Sequence, residues 1–498
     1  MSARRASRWL STAILMLAFS TAAAKSLVPL SSSATRAGLS TQRTTAARCG
    51  SRTAGATVLC VVVSKAQPKG MFASIGAAIK AASDGALIQV AAGHYRENVT
   101  ISAKRLTLLG GFSPDFTFRQ PASQITTVQG TGGDATLTVL DSKQAIVDGL
   151  RIIGGSGNEL QKKYFILGGG VYLRGGRVTL ANSLIENNDV IAPHRQRNLE
   201  NAGGGVFAED GEVTIIGNLI RSNVAGRGAG IAAGGCSQLT IRGNAVRDNT
   251  ALGDHGGGIY VSGPKIVISG NIVWGNRVTF AEGSWGGGIL VHGEKTHALL
   301  SENLVSQNQA TAIGSGVFID DGAVAELRNE RIVNNRCSPT GGVGVYVDGL
   351  EKGVGSRATI TNCTIAYNRC LAGRGLALYV ETSSKVVVKN SILWGHDGAD
   401  VYRDETSNVA ISYSLTQQRL AGKGNLHSDP LFASQHDLHL RSTAGRWLAG
   451  KWVKDKLHSP AIDAADPKDE IGQETVPHGK RRNLGTYGGS AEASRGLR

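Results

Sequence analysis

Between about residues 168 and 396 the chain alternates apolar and polar positions in short runs, as in Arg177-Val178-Thr179-Leu180 and Lys265-Ile266-Val267-Ile268. A period of two puts the β-branched residues on one side of an extended chain, so each run predicts a short, half-buried strand. No helix of useful length fits inside this region. The runs recur with a period of about 25 to 35 residues, the range of a solenoid repeat. Two marks punctuate them. One is a glycine cluster before a β-branched residue: Gly168-Gly169-Gly170-Val171, Gly203-Gly204-Gly205-Val206, Gly228-Ala229-Gly230-Ile231, Gly256-Gly257-Gly258-Ile259, Gly286-Gly287-Gly288-Ile289 and Gly314-Ser315-Gly316-Val317. The other is an asparagine, at Asn182, Asn218, Asn244, Asn271, Asn303, Asn329, Asn362 and Asn390. A second asparagine usually follows, as at Asn187, Asn223, Asn249, Asn276, Asn308 and Asn334.

Two or three short strands per unit, with no helix between them, exclude leucine-rich and ankyrin repeats. They fit a coil whose strands stack in parallel on the next coil, about 4.8 Å away. Equivalent asparagines would then stack as an amide ladder, and glycines would serve tight corners. Both marks are therefore read as structural. Upstream, residues 57–64 read as a first strand. Phe72, Ile75, Ala78, Ile79 and Ala82 share one face of a helix expected over Met71 to Ser83, placed to cover the open end of the coil.

Composition agrees with a long thin core: 5% of residues are aromatic and 67 of 498 are glycine. Arg4, Arg5 and Arg8 precede an apolar run from Trp9 to Phe19 and then Ala22-Ala23-Ala24. That order predicts a signal peptide over residues 1–24, hence a secreted, extracellular or cell-surface protein. Residues 25–56 read as a flexible leader, 57–430 as the coil and 431–498 as its closing segment. Export permits disulfides. Cys337 and Cys370 occupy matching places in successive units, and Cys49 could pair with Cys60, whereas Cys236 and Cys363 have no evident partner. No other stretch is apolar enough to span a membrane. The net charge of +15 points to an acidic polysaccharide or another anionic cell-surface polymer as partner. No nucleic-acid motif accompanies that charge, and a monomer is expected.

The spacing of Phe72, Ile75, Ala78, Ile79 and Ala82, the Gly93-His94-Tyr95-Arg96-Glu97-Asn98 turn and the Leu108-Leu109-Gly110-Gly111-Phe112 close resemble the N-terminal part of pectin-lyase-like proteins. The glycine and asparagine marks are similar to repeats of polymorphic outer-membrane-type passenger proteins. Asp429-Pro430-Leu431-Phe432, Ser459-Pro460-Ala461-Ile462-Asp463 and Arg482-Asn483-Leu484-Gly485-Thr486-Tyr487-Gly488-Gly489 resemble the closing segment of bacterial choice-of-anchor Q proteins. The resemblance implies an all-β, right-handed, single-stranded parallel β-helix with an N-terminal capping helix. It does not fix an activity, because the superfold hosts lyases, hydrolases, epimerases and inert surface proteins. The family's hydrolase set and its Asp-Pro-His-Glu epimerase signature are absent.

If the units stack, longer connections before the glycines project from one edge and wall a groove. One wall carries Lys162, Lys163 and Tyr164, with His194, Arg195, Arg197 and Glu200; the floor offers Arg227, Asp254 and His255; the far wall carries Arg277, Glu282 and Trp285. β-Elimination of a uronate needs a base for the C5 proton, a cation on the carboxylate and a donor to the leaving oxygen. The candidate base is His255 or Lys163, with Arg195 and Arg227 on the carboxylate and Tyr164 as donor. Lys162, His194, Arg197, Asp254, Arg277, Glu282 and Trp285 are candidate substrate contacts. The resemblance adds that lyases of this fold often use Arg or Lys as base, with calcium nearby. A second column, Glu209, Asp210, His292, Asp320, Asp321, Asp348 and Glu381, follows the glycine strands, and Asp320, Asp321 and Asp348 are candidate calcium ligands. The competing reading makes these ordinary solvated loop residues of a non-catalytic surface, matrix or adhesin-type protein.

Overall fold

The structure, a computed structural model, describes residues 43–53, 56–64, 68–159, 165–191, 200–253, 255–280, 285–311, 314–337, 344–350, 353–370 and 376–497. Each alternating run pairs in parallel with the run one unit later. After the glycines, Val206, Ile231, Ile259, Ile289, Val317, Val345 and Leu378 are successive register partners. A second ladder aligns Val213, Leu239, Ile266, Ala298, Ala325, Ala358 and Val386. A third aligns Ile185, Ile220, Val246, Val273, Val305, Ile332, Ile365 and Leu393. These side chains are buried and form one continuous core running the length of the coil. Strands Leu137–Asp148 and Val171–Ala181 pass through the bend between the first two ladders, joining them into one sheet. A short fourth ladder, from Val224–Ala225 to Arg369–Cys370, occupies the corner before the glycines. The result is the expected all-β parallel coil.

The first glycine of a cluster turns this corner: Gly256 has φ 63°, a left-handed conformation costly for other residues. The third lies against the next coil. A methyl group at Gly258 would stand 2.6 Å from the Gly288 carbonyl oxygen and 2.9 Å from Asn276 Nδ2.

The asparagines form two internal columns. Asn218 donates from Nδ2 to Asn244 Oδ1 at 3.0 Å, Asn244 to Asn271 at 3.0 Å and Asn271 to Asn303 at 2.9 Å. The second column runs Asn188, Asn223, Asn249, Asn276, Asn308, Asn335 and Asn368, each step 2.9 or 3.0 Å. The sequence spacing needs a correction here. Asn182, Asn187, Asn329, Asn334, Asn362 and Asn390 stand one residue earlier, at turn positions with φ between 44° and 57°. The ladder places beside them hold Ser183, Asn188, Glu330, Asn335, Cys363 and Ser391. Asparagine suits both positions for different reasons: a stacked amide in one, tolerance of left-handed backbone in the other.

The only helix among the described residues, α1 (Ile75–Ala81), is shorter than the apolar spacing predicts. Ser74 caps it through Ala77 N, and Phe72 is drawn instead into a parallel bridge with Val61. The Glu97 carboxylate receives Ile75 N at 2.8 Å and Gly76 N at 2.9 Å, while Lys104 Nζ donates to the Ile79 and Ala82 carbonyls. Both helix ends are thus fastened to the first coils, and Ile75, Ala78 and Ile79 bury against them.

Disulfides join Cys49 to Cys60, with Cα atoms 5.6 Å apart, and Cys337 to Cys370, with Cα atoms 4.6 Å apart. The second spans one step of the corner ladder, where register brings the two residues face to face. Cys236 and Cys363 are free and buried. Beyond the last strand of the coil (Leu415–Thr416), Phe432, Leu438, Leu440, Ala461, Ile462 and Leu484 pack on Val333, Ala366, Ile392 and Leu415, on the outside of the third ladder. Among the described residues, no helix is long and apolar enough to cross a membrane.

Candidate functional site

The residue before each glycine cluster lies in register with its counterpart one coil away. Bridges link Leu167 to Ala202, Ala202 to Arg227, and His255 to Trp285; Gly228 N also donates to the His255 carbonyl at 3.2 Å. Arg227, His255 and Trp285 therefore rise on three successive coils, fixed by backbone pairing rather than by loop conformation. The His255 and Trp285 rings lie 4.9 Å apart at 52°. Arg227 makes a two-pronged ion pair with Glu200, at 2.6 and 2.8 Å. Arg277 is exposed at the start of its corner strand.

The structure brings these residues to a second row that the sequence pattern treated as part of the repeat. Along the glycine-led ladder, the outward place two residues past the glycines holds Tyr172, Phe207, Ala232, Tyr260, Leu290, Phe318 and Tyr346 in register, followed by Tyr379, where Leu376-Ala377 stand in the glycine places. Phe318 and Tyr346 stack at 4.6 Å and are buried, whereas Tyr402, 4.4 Å from Tyr379, is 44% exposed. Tyr260 faces the site: its ring lies 6.3 Å from His255 and 5.7 Å from His292, and the two imidazoles are 6.2 Å apart. Burial, and to a lesser extent Asp320 and Asp321, push the Tyr260 phenol up to about 12 against the opposing pull of Arg227. It stays protonated and can donate. The signal for Tyr260 and His292 was present in the repeat, since a period of two turns alternate residues outward once the glycine corner is placed.

Two residues further along, the later strands carry His292, Asp320, Asp348 and Glu381. Asp320 is the register partner of His292. His292 Nδ1 stands 3.4 Å from Asp320 Oδ2 and 3.6 Å from Asp321 Oδ2, and these three residues can offer ligand atoms to one metal ion. Asp348, one coil on, accepts from Gly349 N at 2.7 Å and Tyr346 OH at 3.3 Å. Burial first, and Asp320 among its neighbours, raise the Asp348 carboxyl above the usual range. Glu381 is raised by burial and accepts the Tyr346 hydroxyl. The remaining sequence candidates, Lys162, Lys163, Tyr164, His194, Arg195, Arg197, Asp254 and Glu282, lie outside the described residues.

The family described as right handed beta helix region matches residues 127–305, 198–352 and 287–419, more than half of the chain. No curated protein matches it.

Proposed function

We propose, from the premise that this chain belongs to the right-handed β-helix family, that it is an exported protein binding an acidic polysaccharide at the corner before the glycines. The observation that carries this reading is the ring cluster of Trp285, His255 and Tyr260 beside Arg227, on adjacent coils of a rigid sheet. An indole offers a flat apolar face for a sugar ring with a polar edge beside it. Arg227, paired with Glu200, places a guanidinium beside the rings, and the positive charge of the whole chain favours an anionic polymer.

Cleavage by β-elimination is the second reading, favoured by the approach of Tyr260 to His255. His255 would take the C5 proton, and the protonated Tyr260 phenol would donate to the leaving oxygen. Electrons from the broken C5–H bond form the C4–C5 double bond as the C4–O bond breaks. Lys163 and Tyr164 remain alternative carriers of the same two roles.

A panel of uronate-containing polymers tests both readings. Binding by calorimetry, weakened at least about tenfold in Trp285→Ala, supports the site. New near-ultraviolet absorbance, lost in His255→Ala, supports elimination. Binding without absorbance assigns a non-catalytic surface role, and equal binding by Trp285→Ala and the native chain refutes the site.

A further inference from the structure

We propose that His292, Asp320 and Asp321 form a site for one divalent first-row transition ion of the zinc class. This rests on the metal-ligand geometry alone and stands whether or not the polysaccharide reading holds. His292 and Asp320 are paired across adjacent coils of the glycine-led ladder, so the sheet itself sets their separation. Asp321 follows at a left-handed turn position, φ 53°, and its carboxylate meets the same imidazole.

The distances are compatible with ligands around an ion as well as with a long hydrogen bond. A charge-assisted N–H···O⁻ bond closes to about 2.7–2.9 Å, yet His292 Nδ1 lies 3.4 Å and 3.6 Å from the two carboxylates. Donor atoms bound at about 2.0–2.1 Å in a tetrahedral sphere stand about 3.4 Å apart. One ligand atom from each residue lies within 4.8 Å of the other two. The charges point the same way. The Asp320 side chain is only 11% exposed, and among the described residues neither Asp320 nor Asp321 forms an ion pair with lysine or arginine. Two carboxylates around a neutral imidazole would balance a divalent ion and relieve their mutual repulsion.

The imidazole decides the class of ion. Calcium and magnesium take oxygen ligands, whereas zinc and its neighbours accept nitrogen alongside carboxylate. The calcium set of Asp320, Asp321 and Asp348 is thereby revised: His292 replaces Asp348, whose oxygens serve Gly349 N and the Tyr346 hydroxyl. Three protein ligands leave a coordination place for water or for an oxygen of a bound molecule, and Tyr260 and His255 stand beside it.

The test is a titration of untagged, chelator-stripped full-length chain with Co²⁺, read by its visible ligand-field absorption, with Zn²⁺ and Ca²⁺ as competitors. One equivalent of Co²⁺ should bind, Zn²⁺ should displace it, and Ca²⁺ should not. His292→Ala should weaken binding by at least about 100-fold, since changes in the outer shell alone reach that scale. Circular dichroism reports whether each variant keeps the fold. The partly exposed Asp321→Asn provides the same reading should the His292 variant fail to fold. Absence of Co²⁺ and Zn²⁺ binding, preference for Ca²⁺, or undiminished affinity in folded His292→Ala or Asp321→Asn would overturn the proposal.

Discussion

Glu330 stands in the first amide column where Asn218, Asn244, Asn271 and Asn303 precede it, and it is fully buried. Its Oε1 does the work of an asparagine oxygen, receiving Asn303 N at 3.1 Å and Asn303 Nδ2 at 2.8 Å. Its Oε2 has no hydrogen-bond partner. Burial is the main reason the carboxyl is pushed from 4.5 up to about 8. Between these values the folded chain holds a proton that the unfolded chain releases. Stability from this group is therefore full below pH 4.5 and is lost as pH rises to 8, by about 1 kcal/mol per unit. Glu330→Gln keeps the oxygen that Asn303 needs and cannot ionise. The variant should unfold at a higher urea concentration than the native chain at pH 9, with a smaller difference at pH 5. Equal pH dependence in both proteins would show that Glu330 is not the titrating group.

At the level of strands and turns, the second column separates two kinds of asparagine that look alike in sequence. Asn276 accepts Asn249 N and Asn249 Nδ2 at 3.1 and 2.9 Å, and donates to Val246 O and Asn308 Oδ1 at 2.9 and 3.0 Å. Asn276→Ala strands a buried N–H and a buried carbonyl, so it should cost about 3 kcal/mol or more. Asn187 is exposed at φ 55°, where glycine fits equally well. Asn187→Gly should change stability by less than about 1 kcal/mol. Denaturant midpoints of the two variants check both the magnitudes and the one-residue offset.

That offset shows where the sequence stopped being legible. Period-two alternation and the glycine clusters were enough for the coil, because both follow from backbone geometry that every unit shares. Spacing alone could not choose between neighbouring places that both accept asparagine, as at Asn334 and Asn335. For the site, the stacking of Arg227, His255 and Trp285 was readable as the residue before each glycine cluster. Tyr260 was hidden inside the repeat mark, and the match between His292 and Asp320 depended on a register that only the paired strands define.

Across the whole molecule, the turn asparagines acquire a further use where the C-terminal segment returns along the coil. Asn329 Nδ2 donates to the Thr486 and Gly488 carbonyls at 2.9 and 3.0 Å, across 157 and 159 residues of sequence. Asn362 Nδ2 reaches Asn483 O at 3.3 Å, and Asn390 Oδ1 receives Asp466 N at 2.8 Å. Lys389 adds ion pairs to Asp466 at 2.9 Å and Asp469 at 2.7 Å. Gly217, Gly243, Gly270 and Glu302 hold the equivalent turn place in earlier coils. Gly243, Gly270 and Glu302 there line an open groove of about 560 Å³ that ends at Tyr487 and Glu492. Asparagine holds each of the three turns that grip the returning segment, and at the same turn place in an earlier coil Asn182 donates instead to Asp148 Oδ2 at 2.7 Å. The motifs of that segment were visible in sequence, but contacts this distant leave no period to read.

Two forces hold the segment, and they fail differently. The asparagine bonds fix its register, while Ile392, Leu415 and their partners supply an apolar contact that should survive loss of the bonds. The double variant Asn329→Ala/Asn362→Ala should therefore speed amide exchange around residues 483–488 while the strands of the core keep their protection. Removal of residues 431–498 should instead expose the outer face of the third ladder at Val333, Ala366, Ile392 and Leu415, giving strong binding of a hydrophobic dye and association of the coils. If the double variant lowered protection equally through the core, the segment would be part of one cooperative unit with the coil. If the truncated chain stayed monomeric and bound no dye, the apolar contact would not be what the segment covers.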